Sequence, residues 1–186
     1  MTVSRRSIVG GLLIQACAVL FCSVVSGTAS AGLRRQESEL GVKAAFVYNF
    51  TKFVTWPASA FSSSSAPFVM GIVGEDAIQA PLEAIVRNKQ VAGRSIVIRH
   101  IGWSDVETCN LLFIPNDESA RATQLAKLKG RNILIVSESP GMIRKGASIN
   151  LFIEQERVLF EISGSASKDT GLTISSHLMS LARTPH

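Results

Sequence analysis

The stretch from Gly41 to Pro57 constrains the fold more than any other part of the chain. At about 100° per residue, its large apolar side chains fall on one narrow helical face, with two valines at the edge: Val42, Phe46, Phe50 and Phe53, flanked by Val47 and Val54. Pro57 is expected to end the helix, because the residue before a proline is pushed out of helical geometry. Each fully buried ring stabilises the fold by roughly 1.5–3 kcal/mol, so we expect later segments to cover this face.

Residues 1–31 have the anatomy of a secretory signal peptide. Arg5 and Arg6 give a positive start, an apolar run follows from Ile8 to Val25, and Ala29-Ser30-Ala31 provides small residues at a cleavage site. An N-terminal membrane anchor is the alternative, but the apolar run is short for a span. We therefore expect a cleaved signal at 1–31, a flexible segment at 32–39 and one domain at 40–186.

Charge and cysteine content narrow the classes of protein further. Loss of Arg5 and Arg6 with the signal takes the 19 basic residues to 17 against 14 acidic ones, a formal charge of +3. No run of lysines or arginines suggests a nucleic-acid partner. Two of the three cysteines also leave with the signal, so Cys109 has no partner for an intrachain disulfide. We expect a buried thiol; a redox-sensitive homodimer through Cys109 is the alternative.

Strand and helix patterns alternate along the rest of the chain and then change. Apolar runs predict strands at 68–74, 91–101, 111–114 and 132–136, and helices are expected at 80–86 and from Asp117 to about Leu128. Segments 147–153 and 157–162 flank Glu154-Gln155-Glu156 and predict a β-hairpin. Short helices are expected at 166–170 and from Ser175. The order indicates an α/β layered sandwich: a mostly parallel central sheet, an antiparallel hairpin edge and helices on both faces.

No catalytic constellation stands out in the sequence. The segment Gly71-Ile72-Val73-Gly74 lacks both dinucleotide-binding and phosphate-loop spacings, and no Gly-x-Ser-x-Gly elbow occurs. The three histidines are scattered and only Cys109 could join them, so no metal or other cofactor is expected. We expect a protein that is not an enzyme.

Three acids lie where a doubly wound sheet binds ligands. Glu75 and Asp76 follow the first of the strands and Asp117 follows the third, so all three belong to loops at carboxyl strand ends. A divalent-cation site is one interpretation. Helix capping by Asp76 and Asp117 is the favoured one.

Two groups of side chains are candidates for a partner or ligand surface. Tyr48, Lys52 and Trp56 lie in the organising stretch, where the aromatic residues could contact a partner, although Trp56 is more readily explained as a core residue. His177 and Arg183 belong to the last helix and its end, and this pair could hold an anion, although solvated polar faces explain it more simply.

Several motifs together resemble the YfiR family of periplasmic repressors. The first runs from Val42 to Pro57 and carries Lys-Ala-Ala-Phe, Tyr-Asn-Phe, Lys-Phe and Trp-Pro. Others are Val73-Gly74-Glu75-Asp76, Gly93-Arg94, and Cys109 before Leu112-Phe113-Ile114. The last comprises Arg157 to Ile162, Gly171-Leu172 and Ile174 to Ala182. The resemblance spans Val42 to Ala182.

The resemblance implies a function that the residues alone do not. It implies a non-catalytic periplasmic regulator that binds and inhibits an inner-membrane diguanylate cyclase, lowering cyclic di-GMP and biofilm formation. Relief of inhibition by an outer-membrane lipoprotein or by redox change is implied as well. A different class of function remains open: a periplasmic small-ligand-binding or enzymatic α/β domain that uses the carboxyl-end loops.

Cleavage after Ala31 is the first testable prediction, because the small residues at 29–31 fit a signal-peptidase site. N-terminal sequencing of the protein recovered from the periplasmic fraction should begin at Gly32. A periplasmic protein that keeps Met1 would contradict it.

Overall fold

The computed structural model describes residues 34–74 and 76–184. Within them, the chain from Leu40 onward forms a compact unit around one large sheet. No helix among the described residues is both long and apolar enough to cross a membrane. This sheet and the first helix position the candidate functional residues.

Helix α1 covers residues 34–50, and a single 3-10 turn, Thr51–Phe53, continues it. The expected helix therefore ends before Pro57. Strand β1, Val54–Thr55, replaces its last turn, because these β-branched residues pair antiparallel with β9, Thr173–Ile174. The two-residue ladder explains why the helical pattern does not extend as far as the sequence suggested.

The main sheet has seven strands in the order β3-β4-β2-β5-β6-β7-β8. Its strands are β2 Phe68–Val73, β3 Gln90–Val91, β4 Arg94–Ile101, β5 Leu111–Ile114, β6 Leu134–Ser137, β7 Ile149–Glu154 and β8 Arg157–Ile162. Strands β4, β2, β5, β6 and β7 are parallel to one another, and β3 and β8 add antiparallel edges. The α/β class with a mostly parallel sheet and an antiparallel hairpin edge is thus confirmed.

Short helices connect these strands. They are α2 Gln79–Val86, α3 Met142–Lys145, α4 Ala166–Thr170 and α5 Ser176–Leu181. Helix α4 ends at Gly171, which has the left-handed conformation (φ 77°) that glycine adopts readily. Ser175 caps α5 by accepting a hydrogen bond from the backbone N–H of His177. The positions of α2, α4 and α5 follow the sequence prediction, whereas α3 was not expected.

The segment Asn116–Leu128 is a 3-10 helix of 13 residues, where an α-helix was predicted. Its buried side chains are Ala122, Leu125 and Leu128, spaced by three. A spacing of three suits the 3-10 helix, in which residues i and i+3 lie directly above each other. Asp117 makes no capping bond here, so the predicted α-helical start is also missing.

Each face of the sheet buries its own apolar cluster. The cluster on the α1 side contains Phe50, Phe68, Phe113 and Phe160, and the other contains Leu112, Leu125, Met142 and Ala147. Phe50 is only 1% exposed, and its ring lies edge-on to Phe160 with 5.1 Å between centroids. This contact fixes α1 over the β7–β8 hairpin.

Replacement of Phe50 by alanine should lower the free energy of unfolding by roughly 3–5 kcal/mol, because it removes a fully buried ring. That is a large part of the typical total of about 5–15 kcal/mol. Chemical denaturation of the mature chain measures the change. Leu181, which is 56% exposed, supplies the control, since Leu181→Ala should change stability by only about 0.5 kcal/mol. Equal stability of the two variants would contradict the packing described.

Candidate functional site

Tyr48 forms the floor of a small cationic patch at the end of α1. The Nζ atoms of Lys52 and Lys89 lie 4.9 Å and 4.6 Å from the centroid of its ring. Both lysines are exposed, whereas Tyr48 is buried. Tyr48 is thus covered and lies with Ala44 and Val47 on the buried face of α1, and its part in a partner surface stays a prediction. Lys52 remains accessible to a partner.

Trp56 is a core residue and cannot contact a partner directly. It is 7% exposed, its ring packs edge-on against Phe68 at 4.8 Å, and its indole N–H donates to the carbonyl of Asn110 at 3.2 Å. These contacts favour the interpretation preferred from the sequence, in which Trp56 is a core residue. Asn110 has a structural part in this arrangement, because its side chain accepts from Val69 N–H and donates to the carbonyl of Ala60.

His177 lies on the first turn of α5, exposed and close to the end of α1. Its ring centroid is 5.7 Å from that of the half-buried Phe53. The Ser175 N–H donates to the carbonyl of Phe53 at 2.9 Å, so the helix cap and the 3-10 turn hold the two rings together. The structure thus pairs His177 with an aromatic residue that the sequence had assigned to the core.

Arg183 belongs to a different part of the surface. Its guanidinium lies 3.2 Å from the carboxylate of Glu154, and its backbone N–H donates to the carbonyl of Phe160 at 2.9 Å. In the described chain, no ring contact, ion pair or hydrogen bond joins it to His177. Since Glu154 already pairs with Arg183, the structure favours the simpler interpretation of solvated polar faces, and the anion site stays a prediction.

Cys109 is buried at the entrance to β5, as expected. It is 4% exposed, and its Sγ donates to the carbonyl of Val106 at 3.2 Å. Burial raises the pKa of the Cys109 thiol to about 12, so the group is protonated at neutral pH. A protonated thiol that solvent does not reach is a poor nucleophile.

The acids at the carboxyl strand ends do not form a cation site among the residues that the structure describes. No group of three or more His, Cys, Asp or Glu side chains there could hold a metal ion. Asp76 instead accepts a hydrogen bond from Ile78 N–H at 2.7 Å, which forms a turn just before α2, while the N-terminus of α2 itself has no side-chain cap. Asp117 is exposed and caps nothing, and Glu75 lies outside the described residues.

A cleft at the carboxyl ends of β6 and β7 is the feature that sequence reasoning missed. It has a volume of about 640 Å³, within the usual range for binding sites. It is lined by β7 from Asn150 to Ile153, by Pro140, Gly141 and Arg144 after β6, and by Lys43 of α1. We call it the hairpin cleft.

Buried polar side chains support the hairpin cleft from below. The Ser137 hydroxyl donates to Asn150 Oδ1 at 2.7 Å, and Asn150 Nδ2 donates to the carboxylate of Glu161 at 3.1 Å. Lys43 Nζ is 2.8 Å from Glu138 Oε2, with both side chains largely buried. Such a network costs desolvation energy unless each member is paired, as these are, and it fixes the walls in one arrangement.

N-ethylmaleimide should label Cys109 of the folded mature chain very slowly at pH 7.5, because the thiol is buried and protonated. The same chain in guanidinium chloride should react at the rate of a model thiol, which controls for reagent quality. Mass spectrometry after timed quenching gives both rates. Rapid labelling of the folded protein, or a dimer that a reductant dissociates, would favour the redox role instead.

The chain is similar to one family of known proteins. A family model described as YfiR/HmsC-like matches residues 41–183, which is most of the chain. Among curated proteins, none matches. The family is regulatory rather than catalytic, and it indicates a periplasmic regulator of cyclic di-GMP signalling. Since the match covers the whole sheet and most of the helical residues, this chain belongs to the YfiR/HmsC-like family.

Proposed function

We propose that this chain is exported, loses residues 1–31, and then binds an inner-membrane diguanylate cyclase and keeps it inactive. Cyclic di-GMP and biofilm formation would be low while the two proteins are bound. The observation that carries the proposal is the family match over residues 41–183. A regulator of this kind needs a rigid fold and a recognition surface, and it needs no catalytic group.

The surface that best suits recognition lies around the end of α1. Lys52 and Lys89 present two ammonium groups over one aromatic ring, and His177 is exposed beside Phe53. Charged and aromatic groups that are held in place favour specific association, because little side-chain freedom is lost on binding. We propose Lys52 and His177 as partner-binding residues, and an acidic patch on the cyclase as their complement.

Deletion of the gene should raise cyclic di-GMP in the host, and expression of the wild-type chain should lower it again. Lys52→Glu should lose much of this repression, since it reverses a charge at the proposed contact. Lys127→Glu is the matched control, because Lys127 is also exposed and belongs to the 3-10 helix Asn116–Leu128 instead of α1. Mass spectrometry of nucleotide extracts gives the level, and melting curves verify the fold of each variant.

Neutralising the strand-end acids separates this proposal from the ligand-site alternative. Asp76→Ala and Asp117→Ala should each keep repression, because Asp76 acts within a turn and Asp117 makes no cap. Loss of repression with an intact fold would favour a ligand site at the carboxyl strand ends. An unchanged nucleotide level on deletion would remove the cyclase from the proposal altogether.

A further inference from the structure

Strand β7 continues beyond the sheet. Its ladder with β6 ends at the pair Ser137 and Asn150, whereas its ladder with β8 continues to Glu154 and Arg157. Residues 151–154 are therefore paired on one side only. An unpaired strand edge is a ready template for another extended chain.

The register shows which backbone groups face the open side. The carbonyl of Phe160 accepts from Arg183 N–H on the side of β8 away from β7. Since hydrogen-bonded and non-bonded pairs alternate in an antiparallel ladder, the pairs Leu151–Phe160 and Ile153–Val158 are non-bonded ones. The backbone N–H and C=O of Ile153 thus point away from β8, and the ladder with β6 ends before it reaches them.

This open edge is one wall of the hairpin cleft. Ile153 is 48% exposed there, one of few large apolar side chains left so accessible in the described chain. The cleft has a volume of about 640 Å³ and is also lined by Pro140, Gly141 and Arg144, so it has room for a few residues and not for a folded domain. The space therefore suits a single extended segment.

We propose that the hairpin cleft binds an extended segment of a partner protein, which adds to the open edge of β7 as a strand. Its backbone bonds to Ile153, and its apolar side chains lie on the α1 side beside Leu151 and Ile153. If the partner is the membrane cyclase, that identification rests on the proposed function. The proposal that the edge of β7 binds a strand does not depend on it.

The direct test uses a capped peptide, acetyl-Asp-Val-Thr-Val-Asp-Val-Thr-amide, and the ¹⁵N-labelled mature chain. Titration should shift the amide signals of residues 151–154 and slow hydrogen exchange at the Ile153 amide. Substitution of the central valine of the peptide by proline removes one donor and should weaken binding roughly tenfold. No shift at residues 151–154 with the unmodified peptide would overturn the proposal.

Variants of Ile153 distinguish the contribution of its backbone to peptide binding from that of its side chain. Ile153→Pro removes the outward N–H together with the isoleucine side chain, a change that edge strands tolerate, and should weaken peptide binding roughly tenfold. Ile153→Thr keeps the N–H and the β-branched shape and should bind within about threefold of wild type. Leu181→Ala controls for exposed apolar residues elsewhere. Equal peptide affinity of Ile153→Pro and wild type would overturn the proposal; if Ile153→Pro does not fold, the exchange rate of the Ile153 amide in the wild type decides.

The cyclic di-GMP level in the host distinguishes the proposed inhibition of a cyclase from the proposed strand-binding edge. Peptide binding that depends on Ile153, in a host whose cyclic di-GMP does not respond to deletion, supports the strand-binding edge and rejects the cyclase. Repression that survives Ile153→Pro, together with absence of peptide binding, rejects the edge and keeps the proposed function.

Discussion

The contact between α1 and the β7–β8 hairpin is the interaction on which the rest of the molecule depends. Phe46 and Phe50 both pack against Phe160, with centroid distances of 5.7 Å and 5.1 Å. The hairpin reaches beyond the parallel strands, so without the helix much of its apolar face would be exposed. The same contact brings Lys43 to Glu138 and carries Lys52 and Phe53 toward α5. The aromatic contact between α1 and the hairpin thereby positions both proposed recognition surfaces, the one around Lys52 and His177 and the hairpin cleft.

Much of the fold could be predicted from local pattern, because continuous apolar runs and glycine stops act over short distances. Strand β5 and helix α4 have the predicted bounds, and the hairpin turn at Gln155 was identified. The failures arose where distant segments compete with local preference. Val54 left the helix because it pairs with Ile174, a residue 120 positions later. The 3-10 geometry of Asn116–Leu128 depends on which side chains the sheet buries.

The candidate site was less predictable for the same reason. Lys52 and His177 were singled out and are exposed, but two lysines cover Tyr48, and Trp56 packs against Phe68 of the sheet. The hairpin cleft joins α1, a loop after β6 and the end of β7. No pattern in the sequence indicates that β7 extends beyond its ladder with β6. Only the ladder with β6, which stops at Asn150, shows it.

The long 3-10 helix has a geometric consequence. At about 2.0 Å per residue, 13 residues extend roughly 26 Å, against about 20 Å for an α-helix of the same length. The connection therefore reaches farther for the same number of residues, from Asn116 at the cleft to Gly130, whose N–H donates to Asp169. The 3-10 helix thus sets the distance between its two ends. Conversion of these residues to an α-helix would shorten that distance by about the height of one helical turn.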